Sequence, residues 1–475
     1  MDATSDSVDA KAATASTEGE GKGAGAWRVL LVAIVGAEFM LQVDGTIVNV
    51  ALPTLREDLG LDVAAAAWVV NGFLVAFGGL LLLAGRLADV FGHRRLFLAG
   101  VALVGVASLI AGLAPGFGVL LAGRVLQGAG AALAGPAGLA LLTTSFEGVR
   151  RERAFGLYST VTGLGAAFGM VLGGVLTWAG DWRWSLLVNV PFAAAIVVVG
   201  ARVLPPVTEP PVRRPAGAGG ALLATAALVA LVYGPVRASS AGWSDAWTVA
   251  VLAGAAIMVA VFAVVDRRAA QPLLPGRVFG ERRLGGFVAL VLTAAVLTGF
   301  LFYVTQYLDA VFAMSPLRTG FAILPFGLAL SAAVRLSGPV VGRLAPRGRA
   351  VLGLGIVLLA MLWLTRLGSG SRYATDVLPP IALLGVGVGV ALVPINMMIL
   401  TTADPADAGV TAGLLQVALT VGGALGVAVL LLPATAGGRG LGENISTLFA
   451  WNTAIVGVAL ASTLAFWFGP GTRRR

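Results

Sequence analysis

Two carboxylates lie inside the first long apolar run of the chain, in the segment from Glu38 to Pro53. A carboxylate at membrane depth is costly unless it is paired, protonated or in contact with a water-filled cavity. We therefore interpret Glu38 and Asp44 as candidate functional residues. Gln42 follows Glu38 by one helical turn and shares its face, whereas Asp44 lies roughly 120° around the same helix. Pro53 is expected to end this helix.

Composition indicates what kind of protein positions these side chains. Of the 475 residues, 58% are hydrophobic and 12% are charged, and the mean hydropathy is +0.93. A soluble domain carries about 25% charged residues, so we predict an all-α, polytopic membrane protein. The apolar runs are continuous and too long for barrel strands. They predict fourteen transmembrane helices, at residues 27–48, 66–85, 96–114, 117–143, 155–178, 184–204, 219–237, 246–265, 284–308, 321–342, 350–367, 377–400, 409–432 and 446–468.

The distribution of basic residues predicts the orientation of these helices. Most of the 32 Lys and Arg residues fall in alternate connecting segments and in the two terminal segments. The positive-inside rule assigns those segments to the cytoplasm, so both termini are predicted to be cytoplasmic. The net charge of +9 follows the same bias, and we infer a lipid bilayer and no nucleic acid as its partner.

An internal repeat divides the chain into two similar bundles. Residues 257 positions apart recur in similar contexts, as with Gly85 and Gly342 or Gly128 and Gly385. Two six-helix bundles in parallel orientation are predicted, with substrate bound between them. The predicted divisions are a disordered cytoplasmic tail (1–26), an N-terminal six-helix bundle (27–204), a linker with two additional transmembrane helices (205–283), a C-terminal six-helix bundle (284–469) and a cytoplasmic tail (470–475).

Several classes of site are excluded by residue types that the sequence lacks. The chain has no cysteine, which excludes disulfides, thiol catalysis and cysteine-ligated metals. Its single histidine, His93, argues against a metal site built from histidines. No Gly-x-x-x-x-Gly-Lys-[Ser/Thr] loop and no catalytic constellation is present, so we predict neither a nucleotide-driven motor nor an enzyme.

Four motifs extend over much of the chain: Asp44–Pro53, Gly85–Arg95, Arg124–Gly130 and Asp181–Pro191. Their order and spacing resemble those of the fourteen-span drug:proton antiporters of the major facilitator superfamily. The resemblance implies a proton-coupled exporter of a small amphipathic drug or antibiotic, working by alternating access in the plasma membrane. The proton gradient would be its energy source, with no cofactor. A proton-coupled importer and a non-transporting receptor or scaffold are the alternatives, and the oligomeric state stays open.

The resemblance implies that Asp44 and Arg124 carry the coupled proton. Helix geometry places them roughly 6 Å and roughly 10 Å from the outer ends of their spans, so the two side chains could meet. An arginine favours an ionised Asp44, whereas burial favours the neutral acid, and separating the pair can therefore load or release a proton. A static ion pair that fixes helix packing is the alternative. Asn49 and Gln127 are candidate polar partners.

Other polar residues fall in spans expected to line a central cavity. These are Glu38, Gln42, Asn71, Gln127, Tyr303, Gln306, Tyr307, Arg335, Asn396 and Gln416. Glu38 departs from the family pattern, which more often has an amide or apolar residue there. It is interpreted as a binding group for cations, a second proton carrier, or a permanently protonated acid. Arg335 has three interpretations: its side chain snorkels to the cytoplasmic interface, contacts a substrate anion, or forms a salt bridge to Glu38.

A short segment after the second span is interpreted as a cytoplasmic gating loop. Its candidate residues are Gly85, Asp89, Gly92, Arg94 and Arg95. Asp89 is expected to accept hydrogen bonds from nearby arginines and to lie against a positive helix N-terminus of the other bundle, which would close the inner gate. The sequence departs from the family pattern at Val90 and His93, where basic residues are usual.

The fifth predicted span carries closely spaced glycines. Gly165, Gly169, Gly173 and Gly174 are expected to allow neighbouring helices to approach closely. Their spacing resembles the glycine motif of the antiporters. Met170 stands where that motif usually has a proline, so the helix kink that a proline imposes is not expected here.

Overall fold

The computed structural model describes residues 5–204, 218–269, 281–341, 343–401, 408–435 and 441–468, with most side chains from Trp27 onward. Within these ranges the chain is helical and contains no strand. The helices are α1 (Ser5–Leu59), α2 (Val63–Phe91), α3 (His93–Gly112), α4 (Phe117–Ser145), α5 (Gly148–Ala179), α6 (Trp182–Leu187), α7 (Asn189–Val203), α8 (Ala218–Ala241), α9 (Ala246–Arg268), α10 (Glu281–Phe312), α11 (Pro316–Val341), α12 (Pro346–Leu364), α13 (Leu378–Thr401), α14 (Ala408–Thr435) and α15 (Leu441–Phe468). A short π-helical turn, Tyr373–Val377, precedes α13.

The predicted all-α membrane class is confirmed. Among the described residues, twelve helical segments are long and apolar enough to cross a membrane. The two remaining predicted spans, 155–178 and 219–237, coincide with α5 and α8, whose described apolar stretches are shorter: Phe168–Ala179 and Leu222–Leu231. The count of fourteen transmembrane helices therefore stays a prediction, and so do the proposed divisions of the chain.

The first helix is longer at both ends than the predicted span. It begins at Ser5, within the segment predicted to be a disordered tail, and its apolar part runs from Trp27 to Leu59. The expectation that Pro53 ends the helix is wrong, because Pro53 lies inside α1. A proline removes one backbone hydrogen bond, which a long helix tolerates when neighbouring helices pack around it. The continuation carries Arg56 and Asp58 toward other helices.

The sixth predicted span is divided into two helices. α6 ends at Leu187 and α7 begins at Asn189, with Val188 between them. Pro191 explains the break, since it has no N–H to donate to the Leu187 carbonyl but fits well in the first turn of a new helix. The break places Asn189 at the start of a helix that packs against α1 and α3.

The two bundles repeat the same helix packing. A Cβ added to Gly130 of α4 would lie 2.8 Å from the Gly100 carbonyl oxygen of α3. The corresponding Cβ on Gly387 of α13 would lie 2.9 Å from the Gly353 carbonyl oxygen of α12. Only glycine permits backbones to approach this closely. The internal repeat seen in the sequence is thus a repeat of helix contacts.

Three apolar cores show where the bundles meet. We call the face of the molecule at which α1 ends the Leu59 face, and the opposite one the Trp27 face. In the half toward the Leu59 face, one core contains residues of both bundles, including Ile47, Phe300 and Ile323. Toward the Trp27 face, a core around Phe97 belongs to the N-terminal bundle alone, and another around Ile395 belongs to the C-terminal bundle alone. The bundles are therefore joined mainly in the half toward the Leu59 face.

The inserted pair α8 and α9 lies beside the contact between the bundles. α8 packs against both α2 and α14, whereas the described part of α9 packs chiefly against α8. The hydroxyl of Thr225 on α8 donates to the Gly79 carbonyl oxygen of α2. A small apolar cluster also joins Leu81 of α2 to Val417 of α14. α8 therefore contacts a helix of each bundle.

Candidate functional site

Asp44 and Arg124 form a buried ion pair in the N-terminal bundle. Arg124 Nη1 lies 2.9 Å from Asp44 Oδ2, and the two residues are 2% and 0% exposed. Arg124 Nε also donates to the Val69 carbonyl oxygen of α2 at 3.1 Å, and its guanidinium lies 4.7 Å from the centre of the Phe73 ring. The structure thus brings together the pair that the sequence predicts, and α2 holds the arginine on two sides.

Two carboxamides complete the surroundings of the Asp44 carboxylate. Gln127 Nε2 donates to Asp44 Oδ1 at 3.1 Å, and Asn189 Nδ2 donates to the same oxygen at 2.6 Å. Gln127 in turn accepts from Arg124 at 2.9 Å and lies 2.7 Å from the hydroxyl of Ser108 on α3. The carboxylate therefore receives three hydrogen bonds from three side chains, on helices α4 and α7.

This arrangement can hold a charged carboxylate in an apolar interior. Burial alone favours the neutral acid, but three donors, one of them a guanidinium, favour the ionised form. Removing one partner of a buried ion pair is strongly unfavourable, at roughly 3–5 kcal/mol. A movement of the helices that separates Asp44 from its donors would therefore make a proton the replacement partner. The geometry therefore suits a carboxylate that gains or loses one proton when the helices around it move.

Asn49, the other expected partner of the pair, turns toward its own helix. Its Nδ2 donates to the carbonyl oxygens of Gly45 and Thr46, each at 3.4 Å, and its Oδ1 has no hydrogen-bond partner among the described residues. Gln127 therefore bonds to both members of the ion pair, as the sequence predicts, whereas Asn49 contributes no hydrogen bond to Asp44.

Comparison with known proteins identifies the family. The family model described as Major Facilitator Superfamily matches residues 34–427. This chain belongs to the major facilitator superfamily. It is 41% identical over 408 residues to the puromycin resistance protein of Streptomyces alboniger, covering 84% of this chain and 80% of the relative. It is 37% identical over 439 residues to a cephamycin export protein of Amycolatopsis lactamdurans, covering 90% of this chain and 89% of that relative. A tetracenomycin C resistance and export protein of Streptomyces glaucescens is 36% identical over 406 residues, covering 85% of this chain and 75% of that relative.

Solved structures of the same fold have much lower identity. A crystal structure of a peptide transporter in complex with sulfate superposes with a TM-score of 0.69 at 18% identity, covering 94% of each chain. A nucleoside transporter superposes with a TM-score of 0.66 at 10% identity, covering 92% of this chain and all of the other. These likenesses show the facilitator fold. The chain is a multi-pass membrane transporter and not an enzyme.

In this facilitator chain, Glu38 lies in a second polar cluster of the N-terminal bundle. Glu38 is 8% exposed. Its Oε1 accepts from Gln42 Nε2 at 2.7 Å, and its Oε2 accepts from the hydroxyl of Tyr158 on α5 at 2.8 Å. Phe39 and Phe168 pack beside it with ring centres 5.3 Å apart. The sequence predicts the contact with Gln42, and the structure adds Tyr158.

Five of the predicted cavity residues of the C-terminal bundle divide into two groups. Tyr303, Gln306 and Tyr307 are buried in the shared core, where their polar atoms bond to protein. Tyr303 donates to the Val427 carbonyl oxygen at 3.3 Å, and Tyr307 donates to that of Gly368 at 2.7 Å. Asn396 and Gln416 are only partly buried. In this conformation the first three residues therefore help to close the Leu59 half of the molecule.

Arg335 and Asn71 differ sharply in their surroundings. Arg335 is exposed on α11 and forms no ion pair among the described residues, so the interpretation as a salt bridge to Glu38 is wrong for this conformation. Glu38 is already bonded on both oxygens within its own bundle.

Asn71 of α2 is completely buried, and neither of its amide atoms has a hydrogen-bond partner in the described part of the chain.

The predicted gating loop is mostly helix. Gly85 and Asp89 lie in the last turns of α2, and Gly92 alone separates α2 from α3. Its φ of 84° explains the glycine, because other residues rarely adopt that conformation. Arg94 donates to the Ala201 carbonyl oxygen of α7 at 2.6 Å, and Arg95 is exposed. The Asp89 side chain lies outside the described residues, so its contact with the other bundle stays a prediction.

The glycines of α5 contact helices of both bundles. A Cβ on Gly165 would lie 2.8 Å from Gln42 Cβ, and one on Gly173 would lie 2.6 Å from the Ile47 carbonyl oxygen. Gly169 likewise faces Thr46 of α1. Gly174 faces the start of α11, where its Cβ would lie 2.6 Å from the Pro316 carbonyl oxygen. The expected close approach of helices is therefore present, and α5 connects α1 to the C-terminal bundle.

Three residues of these polar contacts were missed from the sequence: Ser108, Tyr158 and Asn189. Asn189 carried a detectable signal, since it is an amide in an apolar span, within a motif and two residues before Pro191. Tyr158 lies near the start of a predicted span, where polar residues are ordinary. Ser108 has no signal, because small hydroxyl residues are common in membrane helices.

Proposed function

We propose that this chain exports a small amphipathic antibiotic or drug in exchange for protons. The observation that carries the proposal is the buried Asp44–Arg124 ion pair with its three hydrogen bonds to the carboxylate. A fully buried acid held by donors from other helices is a group that helix movement can protonate. The proton gradient supplies the energy, and no cofactor takes part.

The names of the relatives support the direction and the class of substrate. Two are named for export, of cephamycin and of tetracenomycin C, and one for resistance to puromycin. These compounds differ in structure, so we infer for this chain only the broader class of small amphipathic molecules. Bacterial relatives also favour the plasma membrane as its location.

The mechanism follows from where the bundles are joined. The shared core holds the Leu59 half together, whereas the cores toward the Trp27 face are separate. We infer fourteen transmembrane helices with both termini cytoplasmic, which makes the Leu59 face the outer one. The conformation described is then one that receives substrate from the cytoplasm. Rocking of the bundles would open the Leu59 face, and accompanying helix movements within the N-terminal bundle would separate Asp44 from its donors and admit a proton as substrate leaves.

The test is proton flux driven by substrate. The purified chain in liposomes with an imposed pH gradient is given puromycin, and proton movement is followed with a pH-sensitive dye. Asp44→Asn should abolish the coupled flux. Asp62→Asn is a matched control, because Asp62 caps α2 by accepting from Ala65 N and asparagine caps equally well. Uphill substrate movement at full rate in Asp44→Asn would make Asp44 structural and Glu38 the next acid to test. No proton movement in either protein would contradict exchange.

A further inference from the structure

Asn189 makes the shortest of the three hydrogen bonds to Asp44. Its Nδ2 lies 2.6 Å from Oδ1, compared with 2.9 Å for Arg124 and 3.1 Å for Gln127. Both residues of this contact are almost completely buried, with Asn189 1% exposed. A carboxylate accepting from several donors is stabilised in its charged form, so each donor helps to decide when Asp44 is protonated.

The position of Asn189 makes its contact sensitive to helix movement. It is the first residue of α7, directly after the break at Val188. A break between two short helices allows one to move while the other stays packed. α6 is held at the Leu59 face, where Trp182 Nε1 donates to Asp58 at 3.0 Å and Arg183 pairs with the same carboxylate at 3.0 Å. Movement of α7 against α1 would therefore withdraw Asn189 from Asp44.

No other described acid competes for this role. The helices around Asp44 present Val69 and Phe73 from α2, Ser108 from α3, Arg124 and Gln127 from α4, and Asn189 from α7. Arg124 is the single titratable group among them, and an arginine does not lose its proton in practice. The charge of the site therefore changes only at Asp44.

We propose that Asn189 is a positioning residue for the Asp44 proton site. Its amide donates to the carboxylate in this conformation, and withdrawal of α7 from α1 lets that carboxylate take up a proton. One proton passes from a hydronium ion to Asp44 Oδ1 as the hydrogen bond from Asn189 is lost, so one O–H bond breaks, one forms, and a water molecule is left. The inference rests on the proposed function, because it assigns the control of the same proton.

The test measures the protonation of Asp44 without any substrate. Infrared difference spectra of the full chain in liposomes, taken with and without the Asp44→Asn substitution across a pH series, isolate the carboxyl band of Asp44. Asn189→Leu keeps the side-chain size and removes the donor. We expect the pH midpoint of the band to rise by about one unit, the effect of losing one charge-assisted hydrogen bond. Asn452→Leu is the control, because Asn452 is equally buried, 1% exposed, on α15 of the other bundle.

A second variant keeps the test decisive if Asn189→Leu does not fold. Asn189→Asp preserves shape and places a second carboxylate against Asp44, so the two acids must share a proton and the midpoint must rise further. An unchanged midpoint in either folded variant would overturn the proposal. Failure of the proposed function looks different, because then Asp44→Asn exports puromycin normally whatever the infrared midpoint of Asp44 does.

Discussion

Arg56 of α1 donates from Nη1 to Oε1 of Gln306 on α10 at 2.8 Å, a hydrogen bond between residues 250 positions apart. It crosses from one bundle to the other within the half that the shared core closes. Gln306 is 2% exposed and is also bonded to the Phe302 carbonyl oxygen, so its amide is fixed within its own helix. The contact is a charged link between the bundles, and Asp309 of α10 also attracts Arg56.

Arg56→Ala should open the Leu59 face more often. Loss of a hydrogen bond to a charged group costs about 1.5–3 kcal/mol, which changes a population ratio by roughly ten- to 150-fold. The chain has no native cysteine, so a maleimide will label only the cysteine of Val50→Cys, which lies in the shared core. The labelling rate then measures how often that core opens. Labelling should accelerate in Arg56→Ala. Arg318→Ala removes an exposed arginine near the same face and should leave the rate unchanged; equal acceleration in both would argue against a specific link.

Glu38→Gln should discriminate between substrates by charge. Glutamine can still bond to Gln42 and Tyr158, but it cannot carry a negative charge. Export of cationic amphipathic compounds should fall by about tenfold or more, the effect of about 1.4 kcal/mol, whereas export of neutral ones should persist. The measurement is the growth-inhibiting concentration of matched cationic and neutral drugs in a sensitive host. Equal loss for both would identify Glu38 as a second proton carrier instead.

Gly173→Ala should destabilise the protein and impair transport. The added methyl group would lie 2.6 Å from the Ile47 carbonyl oxygen and 2.9 Å from Ile47 Cγ1, so α1 must move away from α5. Overpacking of this kind costs about 1–3 kcal/mol, which thermal unfolding in detergent should show as a lower Tm. Gly45→Ala, on α1, has open space around the new methyl group and should leave the Tm as it is or raise it slightly.

Arg124→Lys should fold but transport poorly. Lysine keeps the positive charge near Asp44, but it lacks the fork that reaches Asp44, Gln127 and the Val69 carbonyl oxygen together. Losing one charge-assisted hydrogen bond costs about 1.5–3 kcal/mol, so the coupled flux should fall about tenfold or more. Arg318→Lys is the matched control. Full flux in Arg124→Lys would mean that a positive charge near Asp44 is sufficient for coupling and that the hydrogen-bond geometry of arginine is not needed.

Asp245→Asn should lower the Tm at neutral pH and not in acid. Asp245 precedes α9, and its pKa is lowered because Thr248 donates its backbone N–H and its hydroxyl, and because Arg237 pairs with the carboxylate at 3.1 Å. A carboxyl whose pKa is lower in the folded than in the unfolded chain stabilises above its ordinary pKa of 3.8 and loses that effect as the pH falls further. The Tm difference between wild type and variant should therefore shrink below pH 4. A difference that persists in acid would show that the negative charge of Asp245 is not the cause of the effect.

The helices and the ion pair were predictable because each depends on local properties of the chain. Apolar length determines a membrane helix, and a buried acid and a buried arginine at similar depth have few other partners. Asp44 and Arg124 are therefore found together as expected. The glycines of α5 were equally readable, since small residues at regular spacing mark a helix contact.

The remaining features depend on tertiary packing that spacing does not reveal. Pro53 looks like a helix end, but the surrounding helices allow α1 to continue to Leu59. Gln306 was placed in a cavity, yet it bonds to Arg56, because the conformation decides which polar side chains meet water. A salt bridge to Glu38 was one of three interpretations of Arg335 and rested on charge alone, whereas Tyr158 and Gln42 already donate to that carboxylate.

The core shared by the two bundles also sets an energetic requirement for every turn of the cycle. Opening the Leu59 face brings water onto side chains such as Ile47, Phe300 and Ile323. Wetting roughly 200 Å² of apolar surface costs about 5 kcal/mol, which would leave the opened form at about one molecule in several thousand. The Trp27 face must therefore bury a comparable apolar area as it closes, so the cycle exchanges one dry interface for another. A substitution that leaves the present conformation intact can still slow the cycle by making the opposite interface wetter.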